Sequence, residues 1–470
     1  MSKASLPHVE NWKRSEKLLG WGITHCPKLE CRTITDTFGK PLGWFLGTAV
    51  DQSGALIGNK LELPTEVGAN DFWEIVEEEI TFLAGRYIAF LITEKGKRAY
   101  FDPVMDLPLV FNAREEMVGT SPLMALTREL RTNDRIDHKL IMKDGGNYGM
   151  QQTCDPDVLR GLSNHYLDLE SFALHRHWPS SDEAFESGAV DLNETAKQIV
   201  ARLAQVTGAL IKNYSCAMPL SGGNDSRTLV FSAKENINLA QLFSHKTNMI
   251  TGLDCYVAKL LADELGQDLQ IIDAVGHLKT GSVQRKDIRK LRRDFCRRTG
   301  YQKALSNAEL VAADRIPDAD LVLRGNILDM ARANQWPRNV KFSIGHAISK
   351  LAIGGRPPAE NLSYWGAEYQ SWLGTLPTLA RARTYDFAFI EQLLPNTLGG
   401  RLIGCSKATY VNPFNDRNLI KTCMMVDPKR RRSGELNKAL HAAGGVPAVP
   451  FTSKIKRSTE LKKKARELFE

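Results

Sequence analysis

No run of about 18 consecutive apolar residues occurs in this 470-residue chain, so no segment reads as a bilayer-spanning helix. An amino-terminal apolar stretch of signal-peptide length is also missing, which leads to the expectation of a cytoplasmic protein. Cysteine is sparse and scattered: there are eight, and the near pair Cys26 and Cys31 has no second pair to complete a zinc site. Zinc is therefore not expected, and reduced thiols are. Internal repeats and long low-complexity tracts are absent, which excludes solenoids and disordered arrays. The chain also lacks a Walker-type phosphate loop, a glycine-bounded stretch ending in Lys-Ser or Lys-Thr.

What is present supports at least two ordinary hydrophobic cores, since 43% of 470 residues are hydrophobic. The formal charge of +8 is concentrated at 286–298, at the unbroken run 429–432, and in the tail from Lys454 through Arg466. Aromatic residues do not interleave with these clusters as they would on a single-strand platform, so nucleic acid is not the expected partner. Solvated helix faces account for such runs, and an acidic substrate or carrier is the alternative.

The chemistry-bearing feature is Ser221-Gly222-Gly223-Asn224-Asp225-Ser226, which follows a small apolar run and precedes a helical pattern. Paired glycines allow successive N–H groups to point into one concavity, and the following helix adds its positive end. Ser221 and Ser226 supply hydroxyl donors, whereas Asp225 repels a bare phosphate unless a divalent cation intervenes. An ATP site with Mg2+ follows. Downstream, 227–233 reads as a helix, 239–243 as a strand, 254–265 as a helix stopped by Gly266, and 269–272 as a strand. Strands alternating with helices predict parallel crossovers and an α/β fold, with ligands beyond the carboxyl ends of the strands. A further unit at 320–336 runs Leu321-Val322-Leu323 into Gly325 and Asp329, which makes Asp225 and Asp329 the candidate Mg2+ carboxylates.

The segment 221–226 resembles the SGGxDS loop of the family containing asparagine synthetase, β-lactam synthetase and the lasso-peptide cyclases. The resemblance implies that Ser221, Gly222, Gly223, Asp225 and Ser226 hold pyrophosphate during adenylation, and that the stretch beginning at Phe243 receives adenine. Gly325 and Asp329 match the family's second acidic loop, while Asn326, Ile327 and Met330 depart from it; Asn326 stands where relatives place a residue that handles the nucleophile. Neutral Asn takes no proton, so Glu360, Tyr364 and Glu368 become candidates for a general base. The segment 412–417, Asn-Pro-Phe-Asn-Asp-Arg, and the stretch 446–456 are similar to later family motifs; they imply Lys454, with Lys456 second, as the lysine meeting charge at the α-phosphate.

Toward the amino terminus, partial alternation at 80–90, the turn Lys95-Gly96-Lys97, and Asp102-Pro103 through Pro108-Leu109 resemble a class II glutamine amidotransferase domain. That class needs a cysteine exposed at the second position, and here Ser2 stands there. The implied organisation is a degenerate amidotransferase-like domain at 1–185, a β-rich sandwich of the Ntn-hydrolase type, followed at 186–470 by a parallel-sheet, PP-loop ATP pyrophosphatase domain. An amphipathic stripe at Ala196, Ile199, Val200, Leu203, Val206 and Leu210 opens the second domain, and 338–440 reads as mostly helical. The implied activity joins a small-molecule or peptide carboxylate to an amine through an acyl-adenylate, without glutamine hydrolysis. The alternatives are asparagine synthesis from ammonia and an inactive ATP-binding or partner-binding protein. A homodimer and a pathway partner protein both remain compatible with it.

Overall fold

A computed structural model describes residues 1–2, 11–139, 141, 147–185, 190–339, 341, 343–352 and 362–452, with single positions 459, 463, 467 and 468 beyond. The fold is mixed α/β, with one large antiparallel sheet and one parallel sheet.

The antiparallel sheet contains β1 (Cys31–Thr35), β2 (Pro41–Val50), β3 (Lys60–Glu62), β4 (Ala84–Thr93), β5 (Gly96–Phe101), β6 (His165–Asp168) and β7 (Leu174–Arg176). Its order is β7-β6-β5-β4-β2-β1-β3, and only the β1–β3 pair is parallel. All ten residues of β4 are buried. Ile88, Phe90 and Ile92 enter one core, whereas Tyr87, Ala89 and Leu91 enter another on the opposite face. That two-sided burial is why hydrophobic alternation was incomplete there. The expected strand beginning at residue 80 instead starts at Ala84, because Ile80 and Thr81 close helix α1 (Phe72–Thr81). Helix α1 covers one face through Phe72, Val76 and Ile80. The other face shares a core with a small sheet of Val110–Asn112, Met117–Gly119 and Leu159–Arg160.

The parallel sheet contains β8 (Cys216–Pro219), β9 (Ala240–Lys246), β10 (Leu269–Asp273), β11 (Leu321–Leu323) and β12 (Thr409–Val411). Its order is β10-β9-β8-β11-β12. The chain therefore winds outward one way from β8 and then returns to its other side, so the switch point lies between β8 and β11. Helix α2 (Leu192–Asn213) buries Ala196, Ile199, Leu203, Val206 and Leu210; Val200 is only half-buried. Asp191 caps its start by accepting from the N–H groups of Asn193 and Glu194. Strand β12 interrupts the region expected to be mostly helical; Leu321, Val322 and Leu323 supply its hydrogen-bonding neighbours.

A buried polar seam joins the two sheets through the Asn412–Arg417 segment. Asn412 Nδ2 donates to Asp106 at 2.8 Å, and Asn415 Nδ2 donates to Asp102 at 2.7 Å. Arg417 donates to Asn164 Oδ1, the Thr81 carbonyl and the Phe101 carbonyl. A second link is Arg176 to Glu391, at 2.7 and 2.8 Å, with Trp372 and Asn164 also donating to that carboxylate. Burial raises Asp102 to about 6, and the neighbouring Asp106 charge adds to the rise.

Candidate functional site

The loop 221–226 leaves the carboxyl end of β8 and enters helix α3 (Asn224–Ser232), which begins three residues earlier than the sequence pattern suggested. No side chain caps α3, so its first N–H groups have neither an acceptor within the helix nor a capping side chain. Within the loop, the Ser221 and Ser226 hydroxyls lie 2.9 Å apart, and the Ser221 N–H donates to Ser226 Oγ at 3.1 Å. Gly223 is exposed, while Ser221, Asn224, Asp225 and Ser226 are half-buried, so solvent reaches this donor set.

Gly222 is held at close quarters. A Cβ at this position would collide with Thr452 Oγ1, whose hydroxyl donates to Asp254 at 2.5 Å. Asp254 lies on α4 (Met249–Glu264), so the strap at 449–452 crosses the loop and is tied to a neighbouring helix. Arg227 secures the same strap by donating to the Val449 and Pro450 carbonyls, with its guanidinium 4.2 Å from the Phe451 ring centroid. Sequence reasoning did not identify Arg227, Asp254 or Thr452, because their meeting depends on contacts across about half the chain.

The second loop leaves β11 at the other side of the switch point. Gly325 packs against the first loop: an added Cβ there would stand 2.8 Å from the Asp225 carbonyl oxygen. The following residues, Asn326–Arg332, form a 3-10 turn rather than an α-helix. This brings Asp329 toward Asp225, and one nitrogen of Arg332 bonds both carboxylates: Nη2 is 2.8 Å from Asp225 Oδ2 and also contacts Asp329 Oδ1. Asn334 adds a 3.3 Å bond to Asp329. Burial pushes Asp225 up to about 7; Arg332 opposes the rise and Asp329 adds to it. Arg332 was absent from the sequence reading, although its i,i+3 spacing from Asp329 was a visible signal.

The convergence of two carboxylate oxygens on one point provides the donor chemistry for Mg2+, which commonly takes one or two carboxylates and completes its shell with phosphates and water. Here a guanidinium fills that point. Among the described residues, no group of three or more His, Cys, Asp or Glu side chains gathers as a metal cluster.

The remaining candidates are distributed differently. Phe243 is a core residue on β9, and its carbonyl accepts the Leu220 N–H at 2.8 Å, which fixes the strand beside the loop. Tyr364 and Glu368 lie on α5 (Leu362–Thr375); the Arg135 guanidinium sits over the Tyr364 ring, 5.7 Å from the ring centroid. Glu360, Lys454 and Lys456 lie outside the described residues. Thr452, two positions before Lys454, touches the loop through Gly222.

The expected reading of 429–432 as a solvated basic face is corrected at Arg431. Its side chain is fully buried and donates to Asp386 at 2.6 and 3.0 Å and to the Met330 carbonyl at 2.9 Å. It thereby holds the turn carrying Asp329 and Arg332. At the amino end, Ser2 is buried, with its amide donating to the Gly22 carbonyl and its own carbonyl accepting the Gly22 N–H.

The chain matches no known protein-family model, and no curated protein matches it. Among the described residues, no helix is long and apolar enough to cross a membrane.

Proposed function

We propose that this chain is an ATP-dependent carbon–nitrogen ligase that adenylates a carboxylate and transfers the acyl group to an amine, with AMP and pyrophosphate as products. One observation carries the reading: loops from adjacent central strands of a parallel sheet meet at the switch point, and Asp225 and Asp329 converge there beside an uncapped helix start. Such a site suits a polyphosphate with its divalent cation.

In this reading the Ser221 and Ser226 hydroxyls, with the N–H groups at the start of α3, hold the pyrophosphate portion of ATP. Asp225 and Asp329 hold Mg2+, which supplies charge neutralisation at the departing pyrophosphate. Arg332 gives up its shared position between the carboxylates to the metal. The strap at 449–452 crosses the loop at Gly222, and Lys454, two positions further along the chain, is the proposed stabiliser of charge at the α-phosphate. A two-part organisation near residue 185, an Ntn-like amino-terminal scaffold without glutaminase activity, and an amine from a source other than glutamine complete the proposal. Asparagine formation from ammonia is the special case in which the acid is aspartate.

Arg332 also favours a second reading, in which the guanidinium permanently replaces the metal and the protein binds nucleotide without turnover. A pyrophosphate-release assay with panels of acids and amines separates them. AMP and pyrophosphate formed in equal amounts, and lost in Asp225→Ala, support ligation. ATP binding with no turnover across the panel supports the binding protein.

A further inference from the structure

A cavity lies away from the nucleotide loops, between the antiparallel sheet, the small sheet and the segment preceding β12. Its volume is about 770 Å³, within the roughly 300–1,000 Å³ of small-molecule sites. The inner wall is hydrocarbon: Leu46, Ile88, Phe90, Leu107, Leu109 and Met124 all line it. Lys28, Arg86, Arg297 and Arg298 also line it, together with His25, and no acidic residue does among the described residues. Lys28, Arg297 and Arg298 are exposed and therefore stand where the cavity meets solvent; Arg86 is buried, its Nε donating to the Asp106 carbonyl at 2.9 Å.

Two further lining residues carry buried hydroxyls. The hydroxyls of Thr24 and Ser121 are buried and have no protein hydrogen-bond partner, and Ser121 is only 4% exposed. Ser121 begins a 3-10 turn, yet its side chain does not cap that turn.

We infer that this cavity binds an organic anion with an apolar body and a single anionic head, of the size of a medium-chain acid. The hydrocarbon lies against the apolar wall, while the head meets the cationic mouth. Carboxylate and phosphate heads share this chemistry, because guanidinium groups donate to either in paired geometry. The site is independent of the nucleotide reading.

Calorimetric titration of the full chain, in the absence of nucleotide, tests it with dodecanoate, dodecyl phosphate and dodecanol. One equivalent of at least one anion binds, more than tenfold tighter than dodecanol, and affinity weakens by about fourfold for each methylene removed. Arg297→Gln with Arg298→Gln, both exposed positions, brings the anion down to the level of dodecanol and leaves dodecanol unchanged. Failure of both anions to bind, binding no tighter than dodecanol, or unchanged anion affinity in the double variant would overturn the proposal. An unchanged melting temperature verifies that the variant is folded.

Discussion

Two arginines near the same turn are used in opposite ways. Arg431 is fully buried and meets Asp386 through two bonds, with Gln335 also donating to that carboxylate and the Met330 and Val426 carbonyls accepting from the guanidinium. Arg332 is partly exposed and divides one nitrogen between Asp225 and Asp329. The first arrangement satisfies its charges with fixed geometry in a dry interior, where removing either partner strands the other. The second places two carboxylates around one cation within reach of solvent, so a better cation can displace the guanidinium. The comparison distinguishes a clamp from a placeholder by burial and by the number of bonds per charge.

The largest test of this contrast is Asp386→Ala, which leaves Arg431 buried and unpaired. Its expected cost is about 3–5 kcal/mol in urea unfolding, whereas Arg332→Gln should stay within about 1 kcal/mol. Equal costs would erase the distinction.

The Arg176–Glu391 link behaves as a second clamp and gives a pH signature through His165. Burial lowers His165 to about 4, with the Arg176 charge adding to the depression. The unfolded chain takes up a proton near the ordinary histidine value that the folded chain refuses. The stabilising contribution is therefore complete above about pH 6.5 and is lost as pH falls through about 4. Wild type should lose on the order of 2–3 kcal/mol more than His165→Gln between pH 7 and 4, measured by denaturation at each pH. Parallel pH curves for the two proteins would remove His165 from the account.

A smaller effect is expected at the placeholder itself. Arg332→Gln should lower the Mg2+ concentration needed for half-maximal ATP binding by about tenfold, because no guanidinium must be displaced; this corresponds to about 1.4 kcal/mol. A higher requirement for Mg2+ would show that Arg332 assists the loaded site instead. Smallest of all is Lys429→Ala. This side chain is exposed beside the buried Arg431, and its unfolding free energy should change by no more than about 0.5 kcal/mol.

These contrasts also show which features were legible in the chain. The 221–226 loop could be read because glycine, hydroxyl and acid at adjacent positions specify a local shape. Strands β8 to β11 were legible as short apolar runs followed by helical patterns. Strand β12 was not: Thr409-Tyr410-Val411 is too short to show a period, and its identity comes from pairing with Leu321–Leu323. Local sequence likewise made 429–432 look like an outer charged face, because nothing nearby announces Asp386, 45 residues away from Arg431. Arg332 reaches Asp225 across 107 residues, so the paired carboxylates were anticipated but their resident cation was not. Arg297 and Arg298 were visible as charge, yet only folding places them at the mouth of an apolar cavity.

The most direct measurement is calorimetric titration of ATP with Mg2+ into wild type and Asp225→Ala, which needs no knowledge of the acid or amine. Wild type should show one site per chain, weakened at least tenfold by the substitution, which removes one of the two converging carboxylates. No ATP binding by wild type, or equal affinity in Asp225→Ala, would contradict the assignment of nucleotide chemistry to these two loops.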